Sequence, residues 1–411
     1  MVTYPKEWQE YTIGDITRTV VTGGTPSTAR QEYYGGNIPW LSSTEIHQKR
    51  IKKPTTYITD LGLQYSSAKI APERSVLIAL AGQGKTRGTA AYLTRPMALN
   101  QSLAALVTNE KSNPDYLYYL IESMYLPLRE LSSGDGGRGG LNKKLIKGVT
   151  VTIPMDVAEQ EDIAEALSTF DTYIADLTEL IEKKRGLRDG ALEDMMSGRT
   201  RLRGFTMDWV VYPFSKYFSL LPTNTCSREQ LSDRGQIGDI HYGDVLIKYG
   251  NVLSDADEIP RLKDTSRIKE RSYLQMHDVL IADTAEDETV GKVVQVGKVS
   301  IPLVGGLHTI ACRPNYETAE GFLGYYMNSS QYHEQLYPYI TGIKVSSVSK
   351  KSFGETELCI PAEVEAQKAI VSVLKAMDDE IEALETERDK MIQIREGAMD
   401  DLLTGRVRLR V

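Results

Sequence analysis

Apolar residues recur at alternating four- and three-residue steps in two separate stretches of the chain. Ile163, Leu167, Phe170, Ile174, Leu177 and Ile181 form the first; Ile370, Leu374, Met377, Ile381, Leu384 and Met391 form the second. A 3.5-residue period with charged residues between predicts two long helices, each about 45 residues, with a coiled-coil seam of three or four heptads. An ordinary amphipathic surface helix is the alternative, but two matching helices in one chain make each the obvious partner of the other. The seam positions are Ile163, Leu167, Ile174, Leu177, Ile181, Ile370, Leu374, Met377, Ile381 and Leu384. Gly198 and Gly405 follow the last periodic residues and read as helix stops.

The two stretches belong to a repeat. Residues 153–202 align without a gap on residues 360–409, with about 18 of 50 positions identical at an offset of about 207. The matches include Ile153-Pro154 with Ile360-Pro361, Gln160 with Gln367, Asp171 with Asp378, Arg188 with Arg395 and Gly198-Arg199 with Gly405-Arg406. The regions before each helix carry short β-branched runs punctuated by Gly, Pro, Asn and Asp. Ser75 to Leu80, Val149 to Ile153, Asp244 to Ile247, Val279 to Ile281 and Lys292 to Val296 read as strands. The expected fold is therefore α+β: two strand-rich α/β domains, residues 1–154 and 204–361, each followed by a long helix, 155–203 and 362–411, in a pseudo-twofold tandem repeat. Trp8 and Trp209, near the domain starts, read as core anchors.

Composition narrows the function classes. With 41% hydrophobic and 25% charged residues the chain is ordinarily globular. Its apolar runs fall far short of the roughly 20 residues of a membrane span, and residues 1–8 lack a signal peptide's apolar stretch, so a soluble, cytoplasmic protein is expected. Cys226, Cys312 and Cys359 are widely spaced and read as structural thiols, and the dispersed histidines offer no metal site. The net charge of −8 hides a gradient. It is about +6 over residues 1–154, about −5 over 155–203, about −5 over 204–361 and about −4 over 362–411.

Catalytic chemistry is hard to find. Residues 79–86, Ala-Leu-Ala-Gly-Gln-Gly-Lys-Thr, approximate a phosphate loop with Ala for the first Gly. A working loop opens a helix whose amides hold the phosphates, whereas Gly88 and Pro96 make the following residues read as a hairpin's return strand. Nucleotide binding stays as an alternative function. An Asn/Asp-Pro-Pro-aromatic turn for gripping a base is excluded, because no two prolines are adjacent. The expectation is a chain without catalytic residues.

Further motifs carry a resemblance. Thr22-Gly23-Gly24-Thr25-Pro26-Ser27, then Glu32-Tyr33-Tyr34-Gly35-Gly36, Ile38-Pro39-Trp40-Leu41-Ser42 and Asn100-Gln101 resemble the target-recognition domains of type I restriction-modification specificity subunits. The Ile-Pro, Gln, long-helix pattern ending in Leu402 to Arg406 is similar to that family's scaffold repeat; in the first copy the ending departs to Met195-Met196-Ser197-Gly198-Arg199. The second domain lacks the Gly-Gly-Thr-Pro-Ser opening. The resemblance implies an antiparallel coiled coil holding two recognition domains apart, and a split, asymmetric double-stranded DNA target. It also implies two methyltransferase subunits and nuclease-translocase subunits as partners, with S-adenosylmethionine, ATP and Mg used by those partners and no cofactor in this chain. A fused or type IIB-like system is the nearest variant.

For DNA contact, flexible cations suit phosphates, while Arg, Lys, Asn, Gln, Ser and Thr suit base edges. Three clusters fit: Thr25, Ser27, Thr28, Ser42, Ser43, Lys49 and Arg50, with Lys52 and Lys53; Lys85 and Arg87; and Arg138, Asn142, Lys143 and Lys144 beside the glycine-rich stretch 133–140. A solvated charged face remains the alternative for each. The repeat register sets Lys143-Lys144 opposite Lys350-Lys351, near Lys344, and Lys248, Tyr249, Lys292 and His308 complete the candidates in the second domain.

Overall fold

In the computed structural model the two periodic stretches are helices of 40 residues, Val157–Met196 and Val364–Leu403. Each stops where a glycine takes the left-handed conformation, Gly198 at φ +70° and Gly405 at φ +69°, which a side chain would disfavour. Residues 4–82, 84–131, 140–205, 208–266, 268–342 and 344–409 are described.

The chain forms two compact units whose boundaries fall within the long helices. One comprises the chain up to Thr178 and from Thr386 onward; the other is Glu179–Glu385. Each unit therefore holds one strand-rich domain, half of the first long helix and half of the second.

The first unit is built on a five-stranded sheet in the order 17–22, 103–108, 76–79, 90–93, 50–51, antiparallel except for its last junction, which is parallel. A four-stranded sheet, 56–58, 34–41, 97–99, 69–71, has a parallel pair at its centre. Trp8–Thr12 and Thr150–Pro154 form a separate ladder, pairing Trp8 with Pro154. The second unit repeats the plan. Its five strands run 218–221, 309–314, 279–282, 293–296, 252–253, again with only the last junction parallel, and Trp209 pairs with Pro361 as Trp8 does with Pro154. The parallel pair recurs as 238–240 with 303–305.

The strands at 76–79, 150–154, 279–282 and 293–296 lie where the β-branched runs predict them. Residues 244–247 do not: Tyr242–Ile247 is a short helix capped by His241, whose Nδ1 accepts from the Gly243 N–H at 3.3 Å. The apolar run fits a strand by composition, but only Val245 of its three apolar residues is buried and Ile247 is exposed, so the stretch has no two-residue alternation to satisfy.

The helix stripes serve the domains as well as each other. Ile163 and Leu167 lie in the first domain's core with Ile16, Ile78, Leu106 and Tyr116, joined there by Leu402 and Leu403 from the end of the second helix. Ile370 and Leu374 enter the second domain's core, joined by Leu192, Met195 and Met196 of the first helix. Assigned from periodicity to a helix seam, these four residues thus anchor helices to domains, each worth about 1.5–3 kcal/mol of burial. Leu177, Ile181 and Ile381 are buried along the helices; Ile174, Met377 and Leu384 are half-buried.

Within each unit the two half-helices run antiparallel. Arg395 pairs with Asp171, and the Tyr173 hydroxyl donates to Glu387, in the first unit. Lys184 pairs with Glu380, Arg185 with Glu385 and Arg188 with Asp378 in the second. The repeated glutamine has one task in both copies. Gln160, fully buried, donates to the Pro154 and Lys111 carbonyls and accepts from the Asn113 N–H. Gln367 donates to the Pro361 carbonyl and accepts from the Ala319 N–H and the Thr318 hydroxyl. It locks the helix start to the ladder and to the domain, satisfying buried backbone groups that would otherwise be costly.

Candidate nucleic-acid interface

Strands 17–22 and 76–79 both run antiparallel to 103–108, so they leave the sheet at the same edge. Hydrogen bonds draw the ends of the parallel pair to that edge: Gly24 N–H to Leu99 O at 3.0 Å, Asn100 N–H to Leu41 O at 2.9 Å and Leu80 N–H to Ser102 O at 2.8 Å. Four loops therefore meet there, following residues 22, 41, 79 and 99.

The Gly-Gly-Thr-Pro motif is explained by this crossing. A Cβ on Gly23 would lie 1.7 Å from the Leu99 oxygen, and one on Gly24 would lie 2.7 Å from the Ser67 Cβ, so only glycine lets the loop pass. The indole of Trp40 donates to the Gly24 carbonyl at 3.1 Å and the Tyr34 hydroxyl to the Pro26 carbonyl at 2.6 Å. Fixed on both sides, the loop holds Thr25, Ser27 and Thr28 exposed, with Thr25 Oγ1 donating to Gln101 Oε1 at 2.8 Å. Ser42 caps a 3-10 helix, Ser43–Gln48, in a capping box with Glu45, and the Ser43 N–H donates to Ser102 Oγ. Thr25, Ser42 and Ser43 are thereby brought into one polar edge.

The phosphate-loop-like stretch closes an antiparallel hairpin, Val76–Ala79 against Ala90–Leu93, and no helix follows it. Its carbonyls face protein: Arg129 donates to the Gly84 oxygen and the Tyr125 hydroxyl to the Lys85 oxygen. The Lys85 side chain is exposed, Arg87 is half-buried, and His47 Nε2 lies 3.2 Å from Thr86 Oγ1, tying the hairpin to the Ser42 segment. Asn142 caps the short helix Lys143–Lys147 through the Leu145 N–H, and Ser349 caps Lys350–Phe353 through the Ser352 N–H. Lys143, Lys144, Lys344, Lys350 and Lys351 are exposed, and the 141 and 348 N–H groups reach the hairpin bases at Leu80 and Asp283. Arg138 lies outside the described residues.

Three candidates have structural work instead. Arg50 pairs with Asp115 at 3.2 Å and lies over the rings of Tyr92 and Tyr118, held inside the domain by a planar cation's affinity for aromatic faces. Tyr249 is 2% exposed in the second domain's core, its ring filling space that a strand-rich core needs. Lys292 donates to the Leu246 and Tyr249 carbonyls, capping the end of helix Tyr242–Ile247. Burial pushes its ammonium below the ordinary lysine range. Lys49 and Lys248 are exposed but paired, with Glu122 and Asp244; His308 faces Asp283 at 3.3 Å.

The second unit presents the same edge with other side chains. Asn224 stands in the Gly24 position: its N–H donates to Gly305 O at 2.9 Å, and its Nδ2 donates to the same oxygen and to Asp239 Oδ1. Burial pushes the Asp239 carboxyl up to about 6 against the lowering pull of Asn224. Thr225 and Arg228 are exposed beside it, and Arg228 pairs with Asp244 at 2.6 Å. Burial, and then the Arg228 charge, hold His241 below the usual histidine range. Sequence reasoning missed Asn224, Thr225 and Arg228. The signal that reaches them is Val-Leu-Ile-Ala, which occurs at 76–79 and again at 279–282, with Thr86 and Gly88 answered by Thr289 and Gly291.

Among the described residues no group of three or more His, Cys, Asp or Glu is placed to hold a metal, and no helix is long and apolar enough to cross a membrane. Cys312 is buried, which pushes its thiol up, while Cys226 and Cys359 are only partly covered, and among the described residues no disulfide joins them.

The chain is 28% identical over 190 residues to the Escherichia coli EcoR124I/EcoR124II specificity subunit, a match covering 46% of each chain. It thus spans about half the length of that relative. It is 21% identical to the Methanocaldococcus jannaschii MjaVIII specificity subunit across 99% of this chain and 94% of the other. A solved Mycoplasma genitalium (M. genitalium) type I restriction-modification S subunit has the same fold, with a TM-score of 0.57 at 16% identity over 96% of each chain. So does a chain from a structure of type I R-M complex assembly and conformational transition, with a TM-score of 0.59 at 14% identity over 99% of this chain and 100% of that one. The model of the type I restriction modification DNA specificity domain matches residues 5–184 and 247–393, and with two copies of one loop-bearing scaffold the chain belongs to that family.

Proposed function

We propose that this chain is the DNA-reading subunit of a type I restriction-modification complex, with each unit reading one half of a split, asymmetric target. The observation that carries the reading is the common loop edge: the same five-stranded sheet topology in both units, with Thr25, Ser42 and Lys85 at one edge and Asn224, Thr225 and Arg228 at the other. One mounting with two sets of polar side chains suits two different half-sites, because base edges are distinguished by donor and acceptor pattern. The chain supplies no catalytic group; methyltransferase subunits and a nuclease-translocase act on the site it selects, drawing on S-adenosylmethionine, ATP and Mg.

Expressing the chain with its methyltransferase partner in an unmethylated host, and mapping methylation, tests this. One split motif is expected. Replacing residues 204–359 with another family member's equivalent domain changes one half-site and leaves the other. A map in which both halves change, or no motif emerges, refutes the reading.

A further inference from the structure

The hairpins that follow Val-Leu-Ile-Ala share a backbone and oppose in charge. Gly88 and Gly291 both adopt positive φ and donate to Ala79 O and Ala282 O at 2.9 and 2.8 Å; Thr89 and Lys292 donate to Thr86 O and Thr289 O at 3.1 and 3.0 Å. On that common frame the first unit carries Lys85 and Arg87, whereas the second carries Glu286, Asp287 and Glu288, all exposed. Three carboxylates at a loop edge repel a phosphodiester chain, so the grip that Lys85 offers cannot be repeated in the second unit.

Positive charge is concentrated elsewhere in that unit. Residues 261–271 contain Arg261, Lys263, Arg267, Lys269 and Arg271 against Asp264 and Glu270, inside a segment whose overall balance is acidic. Lys263, Lys269 and Arg271 line a cleft of about 540 Å³, three cations against the carboxylates of Glu229 and Asp264, together with Thr223, Asn224 and Thr225, the loop equivalent to Gly23, Gly24 and Thr25. Lys263 Nζ donates to the Glu229 carbonyl and so ties the basic segment to the end of that loop. Lys269 and Arg271 are exposed and make no ion pair among the described residues.

We propose that the second unit holds the DNA backbone through this cleft, with Lys263, Lys269 and Arg271 on phosphates and Thr225, on the loop that Asn224 fixes, facing the base edges, while the acidic hairpin tip stands clear of the duplex. The proposal rests on the DNA-reading function above. The test is binding of the full-length chain to a random-sequence duplex by fluorescence anisotropy across a salt series. Each lost phosphate contact flattens the slope of log K against log salt by about 0.9, so Lys263→Gln/Lys269→Gln/Arg271→Gln flattens it by about 2–3, and Arg271→Gln alone by about 1. Glu286→Gln/Asp287→Asn/Glu288→Gln leaves the slope unchanged. Folded cleft variants with wild-type slope overturn the proposal, as does a weakened tip variant. If the wild type binds duplex and Lys85→Gln flattens its slope while the cleft variants do not, only the cleft assignment falls. If the wild type binds no duplex at any salt, the DNA-reading function falls first and takes the cleft with it.

Discussion

Arg188 and Arg395 occupy the same place in the repeat, yet removing them should have unequal consequences. The Arg395 side chain is 8% exposed and bonds Asp171 and Glu122, both at 2.6 Å, with its guanidinium over the Tyr119 ring. Burial alone would push that guanidinium down; the two carboxylates outweigh it and hold the group above its ordinary value. Arg188 is 27% exposed and reaches only Asp378 across the helix pair, at 3.2 Å. The second carboxylate is missing because Asn328 stands where Glu122 does, and its amide is committed to Asn251 and Val293. Breaking a buried pair costs roughly 3–5 kcal/mol, and because Asp171 and Glu122 keep about a fifth to a quarter of their surface, the low end applies: about 3 kcal/mol for Arg395→Met. For Arg188→Met about 1 kcal/mol is expected. At roughly 2–4 °C per kcal/mol for a unit of this size, the first substitution lowers its unit's melting temperature by about 6–12 °C and the second by about 2–4 °C. Tryptophan fluorescence separates the units, since Trp8 and Trp40 report on the first and Trp209 on the second. In Arg395→Met, Asp171 loses its cation while Glu122 keeps Lys49, at 3.5 Å. Equal shifts for the two arginines would refute the reasoning.

Three further outcomes follow from single residues. Asp239 has a folded-state pKa raised to about 6, so its stabilising share is complete below its ordinary value near 3.8 and is lost as the pH rises through 6. Asp239→Asn should stabilise the second unit by up to about 3 kcal/mol at pH 7.5 and flatten its melting temperature between pH 4 and 7; a variant as pH-sensitive as wild type counts against this. Calorimetric titration with ATP should show no saturable heat for wild type or Lys85→Ala; an isotherm lost in the variant would restore the phosphate-loop reading. Gly23→Ala must move the Leu99 backbone and should cost about 2–3 kcal/mol, whereas Gly84→Ala, with open space but φ +61°, should cost about 1 kcal/mol, and reversed melting shifts would contradict the crossing geometry.

The parts of this fold legible in the sequence are those where one side chain does one job twice. Gln160 and Gln367, and Asp171 and Asp378 with Tyr119 and Tyr325 donating to them at 2.8 and 2.6 Å, recur because the same helix start meets the same ladder and the same domain helix. The candidate site was less legible. Arg50, Lys292 and Lys85 look alike as cations in a string of letters, but the first lies over aromatic rings and the second caps a helix. Only Lys85 of the three is exposed on a loop at the polar edge. Nothing local in the sequence distinguishes them, because the partners of Arg50 and Lys292 lie more than 40 residues away.

The second domain hid its kinship for a related reason. Its partner for Trp8 is Trp209, for Gly24 Asn224, for Val76 Val279, for Tyr119 Tyr325 and for Gln160 Gln367, so the spacing drifts by several residues along the domain. Gapless comparison succeeds only in the long helices, where an insertion would rotate the apolar stripe off its partner. In the domains the drift falls in the loops between strands, which tolerate length changes because their backbones are solvated. Those loops are also where Thr25, Lys85, Asn224 and Lys269 lie. The same physical freedom that erases the repeat from the sequence therefore lets the two edges carry opposite charges on one hairpin frame, and a family built this way can alter what one unit binds without disturbing Gln160, Gln367 or the helices they hold.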